Sequence, residues 1–268
     1  MESAKKDYKF VILEKKENIA TITFNRPEKL NALNPNMRQD FTDALAEVDN
    51  DPAIKCLIVT GKGRGFFAGV DYREGFKAGI EERKREGVDP TRQWGIASRR
   101  SVQLEQMKVP VIAAVNGISV GAGCTFLCHA DIVVASEQAT FSFRFSRIGL
   151  ILEWGSTYYL PRMIGIRKAA ELAYTARWFD AKEALEIGWV NKVVPHAQLM
   201  KASWDMAKEI CENSAVCNRF NKRGLWYGQG ASLEQAQMFE AFGLSHVSNQ
   251  PYFEETVDAF LEKRPPKR

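Results

Sequence analysis

The 268-residue chain contains no apolar run near the roughly 18 residues that a membrane-spanning helix needs. Its opening, MESAKKDYKF, lacks the apolar stretch of a secretory leader. These two absences predict a cytoplasmic protein with no membrane partner. Five cysteines, Cys56, Cys124, Cys128, Cys211 and Cys217, form no CxxC pair and leave an odd one over. A disulfide framework is thereby excluded, and reduced, mostly buried thiols are expected. Cys124, Cys128 and His129 raise the question of a metal site, but a second ligand pair at zinc spacing is missing, so no metal is expected. A dominant charge is missing too. The 37 basic and 33 acidic residues are scattered, giving a net +4 without a basic stripe interleaved with aromatics. Nucleic acid is therefore not an expected partner, although a modest pull on an anionic ligand remains.

What is present is the composition of a globular enzyme-sized unit: 45% hydrophobic and 26% charged residues, enough for a sizeable core. FVILEKKENIATITFN, residues 10–25, reads as two strands joined at Glu17-Asn18. PNMRQDFTDALAEVDND follows with Met37, Phe41, Leu45 and Val48 on one helical face. KCLIVTG, VPVIAAVNG and ADIVVAS are short buried strands separated by helix-forming stretches. That alternation predicts an α/β fold with a parallel sheet, whose ligand sites lie beyond the carboxyl ends of the strands. From Ile166 onward the pattern is largely helical. The charged, glycine-containing stretch 74–100 reads as a surface insertion that could roof a site.

Two glycine-rich turns follow strands. GKGRGFFAGVD lacks the Lys-Ser/Thr of a phosphate loop, so the Walker reading fails. NGISVGAGCTF places small residues at Gly121, Ala122 and Gly123, where a ligand can approach free backbone N–H groups. The same stretch contains GISVG, the nucleophile-elbow pattern, with Ser119 at its centre. A serine hydrolase would need His129, His196 or His246 as its base, and no His-Gly oxyanion motif precedes the serine. One further oddity is Glu153, which stands in LILEWG with Leu150, Ile151, Leu152 and Trp154 around it. Such a carboxylate is either paired, with Arg147 or Arg162 as candidates, or has its pKa raised by burial.

Over nearly its whole length the chain resembles the crotonase (enoyl-CoA hydratase/isomerase) superfamily. The resemblance is carried, in order, by TFNRPEKLNALN, FFAGVDYREG, KVPVIAAVNGISVGAGCTF, ADIVVASEQATF, FSRIGL, AKEALEIGWVNKVV and AFLEKR. It implies a spiral of ββα units over residues 1–200 and a C-terminal helical region, 201–268, for oligomerisation. A homotrimer or dimer of trimers is the assembly it implies. The implied substrate is an acyl-CoA thioester, with coenzyme A a part of the substrate and no separate cofactor. The oxyanion hole would be the N–H groups of Val70 and Ala122. Arg26 and Lys29 would lie near the CoA phosphates, the Ala68 backbone near the adenine. Phe260 and Lys263 would reach the CoA of a neighbouring subunit.

The departures from the family pattern are informative. Hydratases of this family use two glutamates, and here those positions hold Thr125 and Phe145. Glu153 falls instead where several isomerase branches carry an acid, four residues after the glycine of FSRIG. The resemblance thus implies an isomerase with one carboxylate, with hydratase and catalytically silent CoA-binding protein as alternatives. Thr125, Phe145 and Trp154 would then line the substrate site. Phe66, Phe67, Phe141, Phe143, Phe145, Trp154 and Tyr158 would favour a cyclic or aromatic acyl group, or else simply be core.

Overall fold

The computed structural model describes residues 4–87 and 104–265, with side chains from residue 8 onward. Residues 10–25 form the expected hairpin, β2 (Val11–Lys16) and β3 (Ile19–Phe24), after a short β1 (Ala4–Asp7). Glu17 makes the turn with φ 55°. A seven-stranded sheet continues through β4 (Cys56–Gly61), β6 (Val111–Val115), β8 (Ile132–Ser136) and β11 (Lys192–Val194), all parallel to β3. A second, four-stranded sheet runs β10 (Phe179–Asp180), β9 (Thr140–Ser142), β7 (Ile118–Val120), β5 (Gly65–Phe67).

The chain thus repeats one step: a strand in the large sheet, a short strand in the small sheet, then helix. Β4 and β5 lead to a wide turn, Tyr72–Lys77, and helix Ala78–Glu86. Β6 and β7 lead to helix Ala122–Leu127, and β8 and β9 to helices Ser156–Ile164 and Ile166–Thr175. This is the α/β spiral of ββα units that the resemblance implies. Within it, α1 spans Pro35–Asp49, opened by Pro35 and by the Asn34 side chain accepting the Met37 N–H, a standard N-cap.

Parallel strands buried on both faces must be apolar on both, and these are. On one face Leu57, Val59, Val111, Ala113 and Val115 join the main core. On the other Cys56, Ile58, Ile112 and Ala114 pack against Leu199 and Ala207 of helix Leu199–Cys211. The main core is built around five rings, Phe24, Phe41, Phe66, Phe67 and Phe126, with centroids 5.0 to 5.9 Å apart in tilted and edge contacts. Phe66, Phe67, Phe141 and Phe143 are fully buried there. They are core and not part of an acyl pocket, which removes most of the sequence argument for an aromatic substrate.

Two other expectations change. Residues 74–87 are not a loose insertion: they form the wide turn and helix just named, tied down by Asp71 and Glu74, while 88–100 lie outside the described residues. The C-terminal helices Ala215–Gly228, Leu233–Ser248 and Pro251–Leu261 leave a row of apolar side chains in solvent, among them Leu225, Phe242, Phe253 and Phe260. The first of these helices is held by Lys222. Its ammonium is buried and donates to the Leu104 and Val109 carbonyls and to Asp131. Among the described residues no helix is long and apolar enough to cross a membrane.

Candidate active site

The two glycine-rich turns lie against each other beyond the carboxyl ends of β4 and β6. Their approach is close. A Cβ on Gly123 would stand 1.9 Å from the Phe67 carbonyl oxygen, and one on Gly117 would stand 2.0 Å from that of Arg64. Gly69, at φ 82°, similarly faces the Val120 carbonyl. Only glycine permits this contact, and it brings two main-chain N–H groups, one from each turn, to the wall of one cavity.

The first belongs to Val70. Leu33 donates its N–H to the Gly69 carbonyl and accepts that of Asp71, so the extended alternation leaves the Val70 N–H on the opposite side. The second belongs to Ala122, the first residue of its helix, whose N–H has no partner one turn back. Neither N–H has a hydrogen-bond acceptor among the described residues. Both residues line a cavity of about 420 Å³, together with Ala68, Phe145 and Glu153. Among the described residues Glu153 is the only acid on its wall.

Glu153 is half-buried, and the backbone around it is tightly fixed. The Ser156 N–H and hydroxyl both donate to the Glu153 carbonyl, and the His129 ring contacts the Trp154 carbonyl. Trp154 itself adopts φ 54°, a left-handed conformation that costs a non-glycine residue about 1–2 kcal/mol. No hydrogen bond or ion pair joins the carboxylate to any described residue. Burial pushes its pKa above the ordinary value, while the charge of Arg38 on α1 pulls the other way. Neither proposed partner is engaged. Arg147 is exposed, and Arg162 lies over the Tyr158 ring at 3.6 Å and donates to its carbonyl. Arg38 left no trace in the sequence pattern, because it sits on the polar face of a helix over 100 residues away.

The remaining sequence candidates divide. Ala68 is on the cavity wall, but its N–H is taken by the Leu30 carbonyl, so its carbonyl is the free group. Lys29 is exposed. Arg26 is not: its guanidinium is buried, bonded to Asp71 at 2.8 Å and Glu74 at 2.5 Å and to the Ala32 carbonyl. It braces the first glycine turn from behind, so the expectation that it meets CoA phosphates gives way to a structural role. Thr125 is fully buried behind the second turn, donating to the Ala122 carbonyl, and does not line the cavity. Phe145 does line it. Trp154 does not line it; its ring turns toward the core, 6.5 Å from that of Phe67, so the expectation that it forms the substrate wall is corrected. Phe260 and Lys263 are exposed at the far end of the C-terminal helix. Sequence reasoning missed Tyr72, Phe76 and Trp178, the other aromatics of the wall, because only the fold brings those segments together.

The nucleophile-elbow reading fails on geometry. Ser119 lies inside β7, wholly buried, and its hydroxyl has no partner. His129 is bonded to Glu105 and the Trp154 carbonyl, His196 to Ser136, and His246 packs at a tilt against Phe220. The thiols are inert as well: burial pushes Cys124 up to about 12 and Cys128 higher. No group of three metal-binding side chains occurs among the described residues.

Comparison with known proteins supports the same class. The family model described as enoyl-CoA hydratase/isomerase matches residues 14–267. A short-chain-enoyl-CoA hydratase from Clostridium acetobutylicum is 34% identical, with 95% of each chain covered. A 1,2-epoxyphenylacetyl-CoA isomerase from Escherichia coli is 31% identical over 96% of this chain and 97% of its own. The crystal structure of an enoyl-CoA hydratase from Bacillus anthracis superposes with a TM-score of 0.84 at 30% identity, covering 99% and 98% of the two chains. The chain belongs to the enoyl-CoA hydratase/isomerase family.

Proposed function

We propose that the protein is an acyl-CoA isomerase that moves a double bond from the 3,4 to the 2,3 position of a thioester, or rearranges a related unsaturated or cyclic acyl group. The observation that carries this reading is a single unpaired carboxylate, Glu153, in the cavity that also holds the free N–H groups of Val70 and Ala122. The C2–H of a 3-enoyl thioester is acidic because its loss gives a dienolate with charge on the thioester oxygen. Two preorganised N–H donors stabilise that charge where it develops, typically by about 3 kcal/mol for one donor. Glu153 removes the C2 proton and returns it at C4, so one base on one face completes the reaction. Its raised pKa makes it a stronger base when ionised and an effective acid once protonated.

A hydratase is the second reading, favoured by the names of several relatives. Against it, adding water in the two-glutamate manner needs a second carboxylate, and Thr125 and Phe145 occupy those positions. The exposed Lys29 would meet the CoA phosphates. Exposed apolar residues on the last three helices, Phe260 among them, support assembly into a trimer or dimer of trimers in which Phe260 and Lys263 reach the CoA of a neighbouring subunit. The test is Glu153→Gln, with exchange of the C2 proton of a CoA thioester followed in D₂O. The expected result is loss of exchange with thioester binding kept; unchanged exchange sinks the proposal. Efficient hydration of crotonyl-CoA by the unaltered protein would transfer the assignment to the hydratase.

A further inference from the structure

Helix Ala122–Leu127 carries the second N–H of the cavity at its start, and His129 follows two residues beyond its end. The His129 ring is buried, 4% exposed, with an acceptor at each nitrogen. Nδ1 is 2.8 Å from the Glu105 carboxylate and Nε2 is 2.6 Å from the Trp154 carbonyl. A carbonyl oxygen can only accept, and an ionised carboxylate can only accept. A neutral imidazole has one N–H and would turn a lone pair on one of these oxygens at bonding distance. Both contacts are satisfied only when an extra proton resides in the His129–Glu105 pair. With that proton on the ring both nitrogens donate, one to the carboxylate and one to the carbonyl.

Among the described residues, the titratable neighbours of the pair are neutral or bonded elsewhere. Tyr159, whose ring meets His129 edge-on at 5.4 Å, is pushed above its ordinary pKa by burial and by Glu105 and stays a neutral phenol. The neighbouring Cys128 thiol is held neutral by burial. Asp131, two residues along, is committed to Lys222 and to the Trp226 indole N–H. Lys222 feels Glu105 electrostatically but bonds to Asp131.

We infer that His129, held as an imidazolium by Glu105, is a positioning residue: it ties the left-handed Trp154 carbonyl, and with it the Glu153 side chain, to the helix that presents the Ala122 N–H. One short helix then fixes both halves of the site relative to each other. This rests on the reading of Glu153 as the acid/base. A ring short of one N–H would set a lone pair against the Trp154 or the Glu105 oxygen and loosen the Glu153 loop. Glu153 must be ionised to accept a proton, so the acid limb of kcat belongs to Glu153.

Glu105→Gln provides the discriminating variant. The amide can donate to Nδ1, so Nε2–H still bonds to the Trp154 carbonyl. The expected result is that most of kcat is kept, because the tie survives in another form. His129→Leu removes the tie, with kcat expected to fall on the order of 100-fold and KM for the thioester unchanged. Should that variant fail to fold, Glu105→Gln and a direct spectroscopic reading decide. In the resting protein, ¹⁵N NMR of the His129 ring at the pH of maximal activity should show protons on both nitrogens. A bare ring nitrogen, or a fall of kcat on the order of 100-fold in Glu105→Gln, overturns the inference. The NMR result does not depend on turnover, so it stands apart from a failure of Glu153→Gln to abolish exchange.

Discussion

Asp131 and Glu153 lie on neighbouring parts of one fold, and their surroundings could hardly differ more. Asp131 has both oxygens engaged: one accepts the Val111 N–H and the Lys222 ammonium, each at 2.7 Å, and the other accepts the Trp226 indole N–H at 2.7 Å. It pins the first C-terminal helix to the edge of β6. Glu153 has no side-chain partner among the described residues, yet its backbone is held from both sides. A buried acid that is fully bonded is part of the scaffold. One that is left free on a rigid support is available to a ligand.

Breaking each acid should therefore fail in a different way. Asp131→Ala leaves the Lys222 ammonium buried without its counter-charge and is expected to destabilise by about 3–5 kcal/mol, read as a lower urea midpoint. Activity per folded molecule should survive. Glu153→Gln should leave the midpoint unchanged or raised, while C2-proton exchange falls about 10²–10⁴-fold. The comparison collapses if Glu153→Gln unfolds the protein as readily as Asp131→Ala.

Gly123→Ala sits between these extremes, because it strikes the contact that places the Ala122 N–H. The new methyl would meet the Phe67 carbonyl at 1.9 Å, and backbone cannot swing aside as a side chain can. A loss of about 1–3 kcal/mol is expected from overpacking. Turnover should drop even in the fraction that remains folded, since the two N–H groups no longer share one oxygen. Normal kcat in a folded Gly123→Ala protein would show that the turn spacing is not what makes the site.

The two kinds of acid also respond to pH with opposite sign. Burial raises the Glu153 pKa, so the native state binds its proton more tightly than the unfolded chain does. That contribution to stability is complete below the ordinary carboxylate value and fades as pH rises toward the raised one. Asp71 runs the other way. Burial opposes its ionisation, but the Glu74 and Arg73 N–H groups and Arg26 outweigh it and hold the pKa low. Its contribution is present above the ordinary value and is lost as pH falls. Urea midpoints measured across pH should accordingly show Glu153→Gln gaining on the unaltered protein as pH increases, and Asp71→Asn gaining as pH decreases. Arg38→Gln, which removes the cation whose charge lowers the Glu153 pKa, should move the acid limb of kcat to higher pH.

How far the sequence foretells this contrast depends on what kind of information each residue needs. The strands were legible because apolar runs such as CLIVTG and VIAAV have one physical solution, burial in a parallel sheet. Glu153 was legible because an acid in LILEWG is anomalous by itself. The partners were not. Arg147 and Arg162 looked like counter-ions by proximity in the chain, whereas the charge acting on Glu153 comes from Arg38, across the fold. Arg26 reads from sequence as an exposed ligand contact, and only the return of Asp71 and Glu74 over the first turn reveals it as a buried brace. His129 reads from sequence only as a possible metal ligand or hydrolase base, because neither Glu105 nor Trp154 is near it in the chain. Local pattern encodes burial well, and it encodes the identity of a distant polar partner poorly.

The smallest effect belongs to the residue that sequence pattern made most suspicious. Ser119 stands at the centre of GISVG, but its hydroxyl is buried in β7 without a donor or acceptor. A nucleophile needs a base within hydrogen-bond reach, and a buried hydroxyl without a partner only incurs desolvation. Ser119→Ala removes that burden at the expense of a void smaller than a water molecule. Its stability should change by less than about 1 kcal/mol, with gain more expected than loss. Turnover of acyl-CoA should be untouched, and a fluorophosphonate should label neither the variant nor the unaltered protein. Labelling of Ser119 would require β7 to open, and with it the floor beneath Gly121 and Ala122, so a positive result would contradict the site geometry as well as the residue's inert role.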